Sequence, residues 1–182
     1  MIHLFYAPIV AGQSSATAHA LVRQAYTQLT GKTAPEIRKE PGGRPYFASG
    51  QWQVSICHTK HTALCALADT RVGMDAEEPR SISSAMVRRC LSPAELTVYQ
   101  QAADPTAVFL RFWTLKEAYG KYDGRGVIGY PHRYDFALEG DCAYLSGREL
   151  WFRTLWTGQL TVSVCCATPQ QVILHKETVD LL

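Results

Sequence analysis

The sequence holds no long apolar run, no C-x-x-C pair and little surplus of either charge, and each lack removes a class of function. No uninterrupted apolar stretch approaches the roughly 20 residues needed to cross a bilayer, so no membrane span is expected. Eighteen Lys and Arg stand against 16 Asp and Glu, a net charge of +2. That surplus is too small to point to nucleic acid or a membrane surface by itself. The six cysteines are Cys57, Cys65, Cys90, Cys142, Cys165 and Cys166, and none has the spacing of a zinc knuckle or a redox pair. Residues 1–9 lack a basic start followed by a long apolar core, so no secretory leader is expected. The cysteines then read as reduced, mostly buried thiols of a cytoplasmic protein. There is no low-complexity segment and no long linker. The 182 residues, 47% apolar and 19% charged, suit one domain or two small lobes sharing a core.

The local pattern alternates strands and helices. Residues 2–6 read as a first strand. Ser14 or Ser15 is expected to cap a helix to about Leu29, with Gly31 as its stop. Residues 32–43 carry two prolines and read as loop with at most a short strand. Residues 44–47 and 53–58 read as strands around a Ser49-Gly50 turn, followed by strands at 63–68 and 72–77. Helices are expected at 81–90, after the capping box Ser92-Pro93-Ala94-Glu95, and from Asp104-Pro105 to about Lys121. Strands follow at 134–138, 150–156 and 160–167. This is an α+β order, with a lobe boundary expected between Arg71 and Val72, giving lobes 1–71 and 72–182.

Three clusters carry residues suited to chemistry. In Val72-Gly73-Met74-Asp75-Ala76-Glu77 the strand period of two puts Asp75 and Glu77 on one face. Two carboxylates side by side repel unless a cation lies between them, and hard oxygen ligands suit Mg²⁺. The plainer alternative is a pair of exposed acids on an edge strand. In Phe112-Trp113-Thr114-Leu115-Lys116-Glu117-Ala118-Tyr119-Gly120-Lys121, helical spacing puts Trp113, Glu117 and Lys121 on one face. The plainer alternative is a surface Glu–Lys pair beside a core tryptophan. In Val54-Ser55-Ile56-Cys57-His58-Thr59 a strand ends in a histidine able to donate to a phosphate, or simply hydrogen-bonded in place. Arg44, in Gly42-Gly43-Arg44-Pro45, can reach an anion or lie exposed in a loop.

The order G-R-P, S-I-C-H-T, G-M-D-A-E, F-W-T-L-K-E-A-Y-G-K and G-R-G resembles the Sfp-type 4′-phosphopantetheinyl transferase family. The resemblance runs from about Gly43 to Val127 and continues more weakly beyond. It implies a pseudo-dimer of two similar α+β lobes, with coenzyme A in the cleft between them. It implies Asp75, Glu77 and Glu117 as Mg²⁺ ligands, and Lys121 on the coenzyme A pyrophosphate. Arg44 and His58 would hold the adenosine 3′-phosphate end, with Ser15 near it. Glu117 or a metal-bound water would be the base, and Lys116 would support catalysis. The implied reaction moves phosphopantetheine from coenzyme A to a serine of an apo acyl or peptidyl carrier protein, the enzyme acting as a monomer. The carrier is expected to be acidic, docking on residues 109–113 and the helices of 81–103, with Arg88 and Arg89 facing its acids.

The chain departs from the family pattern in three places. Cys57 replaces the usual serine beside the histidine, and Ala76 replaces a bulkier apolar residue. A basic segment before the first helix is replaced by residues 8–14, which carry no basic side chain. Two other readings use the same residues: a Mg²⁺-dependent phosphodiesterase or nuclease, and a non-catalytic coenzyme A binding module. The nearly neutral charge speaks against a nucleic-acid substrate.

Overall fold

In this computed structural model, which describes residues 1–127 and 131–181, two sheets lie face to face between helices. The first strand, β1 (Ile2–Pro8), buries Ile2 and Leu4 on one side and Phe5 and Ala7 on the other. It pairs antiparallel with β5 (Thr62–Ala68), which pairs in turn with β4 (Gln53–His58). β5 is apolar almost throughout, as a strand covered on both faces must be. Helix α1 (Ser14–Thr30) lays Leu21, Val22, Ala25 and Tyr26 on the outer face of this sheet and ends at Gly31, whose φ of 68° only glycine adopts freely. A short hairpin, β2 (Ile37–Lys39) and β3 (Pro45–Phe47), leads into β4.

The second sheet begins with β6 (Val72–Glu77). Three helices follow: α2 (Ser84–Cys90), α3 (Pro93–Gln101) and α4 (Pro105–Asp123). Then come β7 (Phe136–Glu139), β8 (Cys142–Leu145), β9 (Trp151–Thr157) and β10 (Leu160–Cys166), in the sheet order β6-β10-β9-β8-β7. Val72, Met74 and Ala76 of β6 and Val162 and Val164 of β10 meet Ile2, Leu4, Leu64 and Ala66 of the first sheet. The opposite face of the second sheet carries α4, whose Phe109, Phe112, Leu115 and Ala118 pack with Phe136 and Phe152. The layers are therefore α1, first sheet, second sheet, α4. No helix among the described residues is long and apolar enough to cross a membrane.

Several boundaries differ from the sequence reading for identifiable reasons. The N-cap of α1 is Gln13, and neither Ser14 nor Ser15 caps it. Instead Thr17 Oγ1 donates to the Gln13 carbonyl at 2.8 Å and accepts from Val10 N at 3.1 Å. Helix α2 starts three residues late because Ser83 is the cap, its hydroxyl accepting from Met86 N. The capping box of α3 forms as expected. Two strands had no clear sequence signal: the four-residue β8, and β11 (Val172–Lys176), which pairs parallel with β1. The first sheet thus takes a strand from beyond the expected boundary at residue 71. All six cysteines are free thiols.

Candidate functional site

The site grows from the contact of α4 with β6. Gly73 makes that contact possible: a Cβ there would lie 2.1 Å from the Ala118 carbonyl oxygen and 2.5 Å from Tyr122 N. With no side chain on Gly73, the last turns of α4 lie directly on the strand. Lys121 then reaches Asp75, its Nζ donating to Oδ1 at 2.7 Å. Glu77, two residues along the same face of β6, accepts from Arg80 Nε at 3.1 Å and Nη2 at 3.3 Å. Glu117 stands one turn before Lys121 on α4, and the two are half-buried with Trp113, as the shared face requires.

The electrostatics tie these groups together. Burial pushes the Glu117 carboxyl up to about 7, the fields of Asp75 and Glu77 push the same way, and Lys121 opposes them. Burial also pushes Asp75 up, while the Lys121 ammonium pulls it back. Burial opposes the Lys121 charge, but the facing Asp75 carboxylate holds the amine above the ordinary lysine range. Three acids thus share one neighbourhood whose excess negative charge raises the proton affinity of the third.

That donor set fits a hard divalent cation by its chemistry: three carboxylates, no sulfur, in a partly desolvated place. Among the described residues no three His, Cys, Asp or Glu side chains are gathered as a ready metal cage. Asp75 faces Lys121 and Glu77 faces Arg80, so protein cations hold two of the three acids.

Beside this cluster opens a cleft of about 180 Å³ lined by Gly42, Arg44, Pro45, Ser55, Lys121 and Gly126, among others. Here the glycine-rich loops from the two halves of the chain touch: a Cβ on Gly42 would fall 2.0 Å from the Gly124 carbonyl oxygen. Ser55 ties β4 to β6, its hydroxyl accepting from Met74 N at 3.0 Å. Arg71 holds the end of α4 in place, donating from Nε to the Tyr122 carbonyl at 2.5 Å and from Nη2 to the Asp123 carbonyl at 3.0 Å. No local pattern signals this role, because it depends on a turn and a helix end 51 residues apart.

The expected site residues fall into two groups. Asp75, Glu77, Glu117, Lys121 and Arg44 gather at the cleft and the acidic cluster beside it. Arg44 is only 7% exposed. It donates from Nη1 to Glu40 at 3.0 Å and from Nη2 to Gln53 at 2.9 Å, while its Nε is buried without a partner. His58 is exposed at the end of β4, Nδ1 lying 3.4 Å from the Thr59 carbonyl oxygen, and Ser15 is exposed on α1. Neither lines the cleft. Cys57 points into the core between the sheets, and burial pushes its thiol up to about 12.

Lys116 faces away from the cluster, as one residue's rotation along a helix demands. It is fully buried, and its amine donates to Glu95 at 2.6 Å and to the carbonyls of Cys90, Pro131 and Tyr134. Lys116, for which the resemblance implied a supporting role, ties α4 to α3 and to the turn before β7. The apolar run 109–113 is also unavailable as a docking face, since Phe109, Leu110 and Phe112 are core. Trp113 instead lines a groove of about 450 Å³ with Ala85, Met86, Arg89, Val127 and Pro131.

Residues 71–156 match the model of the 4′-phosphopantetheinyl transferase superfamily. The chain is 33% identical over 97 residues to the 4′-phosphopantetheinyl transferase HetI of a Nostoc species, covering 50% of this chain and 41% of that protein. It is 29% identical over 93 residues to the 4′-phosphopantetheinyl transferase gsp of Aneurinibacillus migulanus, covering 50% and 39%. Against psf-1 of Bacillus pumilus, also named as such a transferase, identity is 27% over 108 residues, covering 58% and 42%. The matched stretch spans about two fifths of the length of each of these relatives.

Proposed function

As the chain belongs to the 4′-phosphopantetheinyl transferase superfamily, we propose that it moves the phosphopantetheine arm of coenzyme A onto a serine of an apo acyl or peptidyl carrier protein. The observation that carries the reading is the meeting, at one cleft, of a Gly-Gly-Arg-Pro loop, a β4 serine, the Lys121 end of α4 and a Gly-x-Gly loop, beside the acidic cluster.

In this reading Asp75, Glu77 and Glu117 would hold Mg²⁺, which when bound supplies positive charge to the pyrophosphate oxygens. The carrier serine hydroxyl attacks the phosphorus bearing pantetheine, and the bond to adenosine 3′,5′-bisphosphate breaks. Glu117 takes the serine proton. Lys121, held cationic by Asp75, neutralises charge on the leaving oxygens. Lys116 acts only through position, by fixing the helix that carries Glu117. The carrier docks at the Trp113 groove, where exposed Arg88 and Arg89 meet its acids.

Intact-mass measurement of several apo carriers incubated with the enzyme, coenzyme A and Mg²⁺ tests this. The expected result is a phosphopantetheine mass gain that excess chelator and Asp75→Ala both abolish. Full transfer in chelator refutes the metal assignment, and hydrolysis of coenzyme A without carrier modification favours a phosphodiesterase.

A further inference from the structure

The turn between β2 and β3 folds back on itself, Glu40 N donating to the Arg44 carbonyl at 2.9 Å and Gly43 N to the Glu40 carbonyl at 2.8 Å. That closure brings the Glu40 carboxylate to Arg44, Oε1 accepting from Nη1 at 3.0 Å. The Arg44 side chain is 5% exposed and lines the cleft, whereas Glu40 is 38% exposed and lies outside the lining. Glu40 and Gln53 each engage one terminal nitrogen of Arg44, which leaves further N–H donors, and Nε is buried without a partner. The Ser55 hydroxyl stands on the same wall. Donors for an anion are thus present, and an anion can use them while Glu40 keeps its place. Glu40 also reaches the other half of the chain. A Cβ on Gly124 would lie 3.4 Å from Glu40 Oε2 and 3.1 Å from Arg71 Nη2. Lys121 is matched by Asp75, and Arg125 by Asp123. The Glu40 charge therefore offsets the positive charge that Arg44 would otherwise bring to the cleft.

We propose, on the premise that the transferase reading holds, that Glu40 sets how tightly the cleft holds phosphate. Its carboxylate stays beside Arg44 when the nucleotide binds, weakens the attraction for the phosphate groups, and so lets the spent adenosine 3′,5′-bisphosphate leave. A carboxylate and a phosphate that share one guanidinium repel each other, and the open side of Glu40 lets water and salt screen part of that repulsion. Glu40 acts only through Arg44 and its own field. The repulsion grows with the charge of the ligand and vanishes for an uncharged nucleoside.

Glu40→Gln keeps an acceptor oxygen for Arg44 and removes only the charge. The test is calorimetric binding of adenosine 3′,5′-bisphosphate, adenosine 5′-monophosphate and adenosine to both proteins, at low and at high salt. At low salt the bisphosphate should bind the variant about two- to tenfold more tightly, with a smaller gain at high salt. The monophosphate should gain less, and adenosine should bind both proteins alike. In transfer assays, product inhibition by the bisphosphate should strengthen in the same proportion. Equal or weaker binding of the bisphosphate by the variant overturns the proposal and makes Glu40 a support for Arg44. An equal gain for adenosine overturns it too, because charge would not be the cause. If the wild type binds the bisphosphate and the variant binds it no better, this proposal fails alone. If neither protein binds it, the transferase reading of the cleft fails as well.

Discussion

Lys116→Met separates a buried structural amine from a catalytic one. The wild-type amine has four acceptors and no solvent, and Glu95 beside it is equally buried. Glu95 keeps two donors when the lysine is gone, Ser92 N at 2.8 Å and Phe136 N at 3.0 Å, but its charge is left uncompensated. Breaking a buried pair from one side typically costs about 3–5 kcal/mol. For a chain of this size that is a fall in Tm on the order of 6–20 °C. Burial already pushes the Glu95 carboxyl above the ordinary carboxylate range, so without Lys116 it takes up a proton more readily. The stability gap between variant and wild type should therefore narrow on acidification. Thermal unfolding across pH measures this, with turnover taken well below both transitions and expected within about fivefold of wild type if the role is positional. The double variant Glu95→Leu with Lys116→Met should recover part of the loss, because an apolar replacement removes the stranded charge. An unchanged Tm with abolished turnover would refute the reasoning and return Lys116 to the chemistry.

Three other outcomes follow from the same structure. Glu117→Gln should lower turnover roughly a hundredfold or more while coenzyme A affinity falls less; near-wild-type turnover removes Glu117 from the mechanism. Gly73→Ala places a methyl group 2.1 Å from the Ala118 carbonyl oxygen. It should cost about 1–3 kcal/mol and lower activity with stability, since the helix it displaces carries Glu117 and Lys121, and a crystal structure with α4 unmoved would contradict this. His3, hydrogen-bonded to His175 at 3.1 Å, is held below the ordinary histidine value by burial and by His175. The unfolded chain then binds a proton that the folded chain resists, so stability should fall as pH drops below about 6.5. His3→Gln should flatten that slope in thermal melts, and parallel slopes would show that His3 is not responsible.

The parts legible in the sequence were those specified by neighbours along the chain. The period of two placed Asp75 and Glu77 on one face of β6, and the 3.6-residue turn gathered Trp113, Glu117 and Lys121 on α4. The capping box of Ser92 and Glu95 announced α3 correctly, yet Glu95 also reaches Lys116 and Phe136 N, which no local pattern encodes. The resemblance gave Lys116 a supporting role, and because a helix rotates adjacent residues by about 100° its amine reaches Glu95 and not the cluster around Glu117. β11 was missed for a related reason: its partner is β1, at the opposite end of the sequence, so the pairing has no local signature. The engagement of Arg44 by Glu40 and Gln53 depends likewise on a hairpin that closes only in three dimensions.

The buried cysteines have a consequence for the protein's behaviour toward disulfides. Burial raises the proton affinity of all six, from Cys57 between the two sheets to Cys165 and Cys166 in β10. Disulfide exchange needs a thiolate that can be reached, and five of the six sulfur-bearing side chains are sealed inside the protein. A small disulfide reaching the cleft therefore meets no ready nucleophile on its walls. Cys57, whose sulfur would otherwise gain reactivity from the nearby Lys121 charge, stays protonated and inert. Of the six, the half-buried Cys142 is the one open to capture as a mixed disulfide.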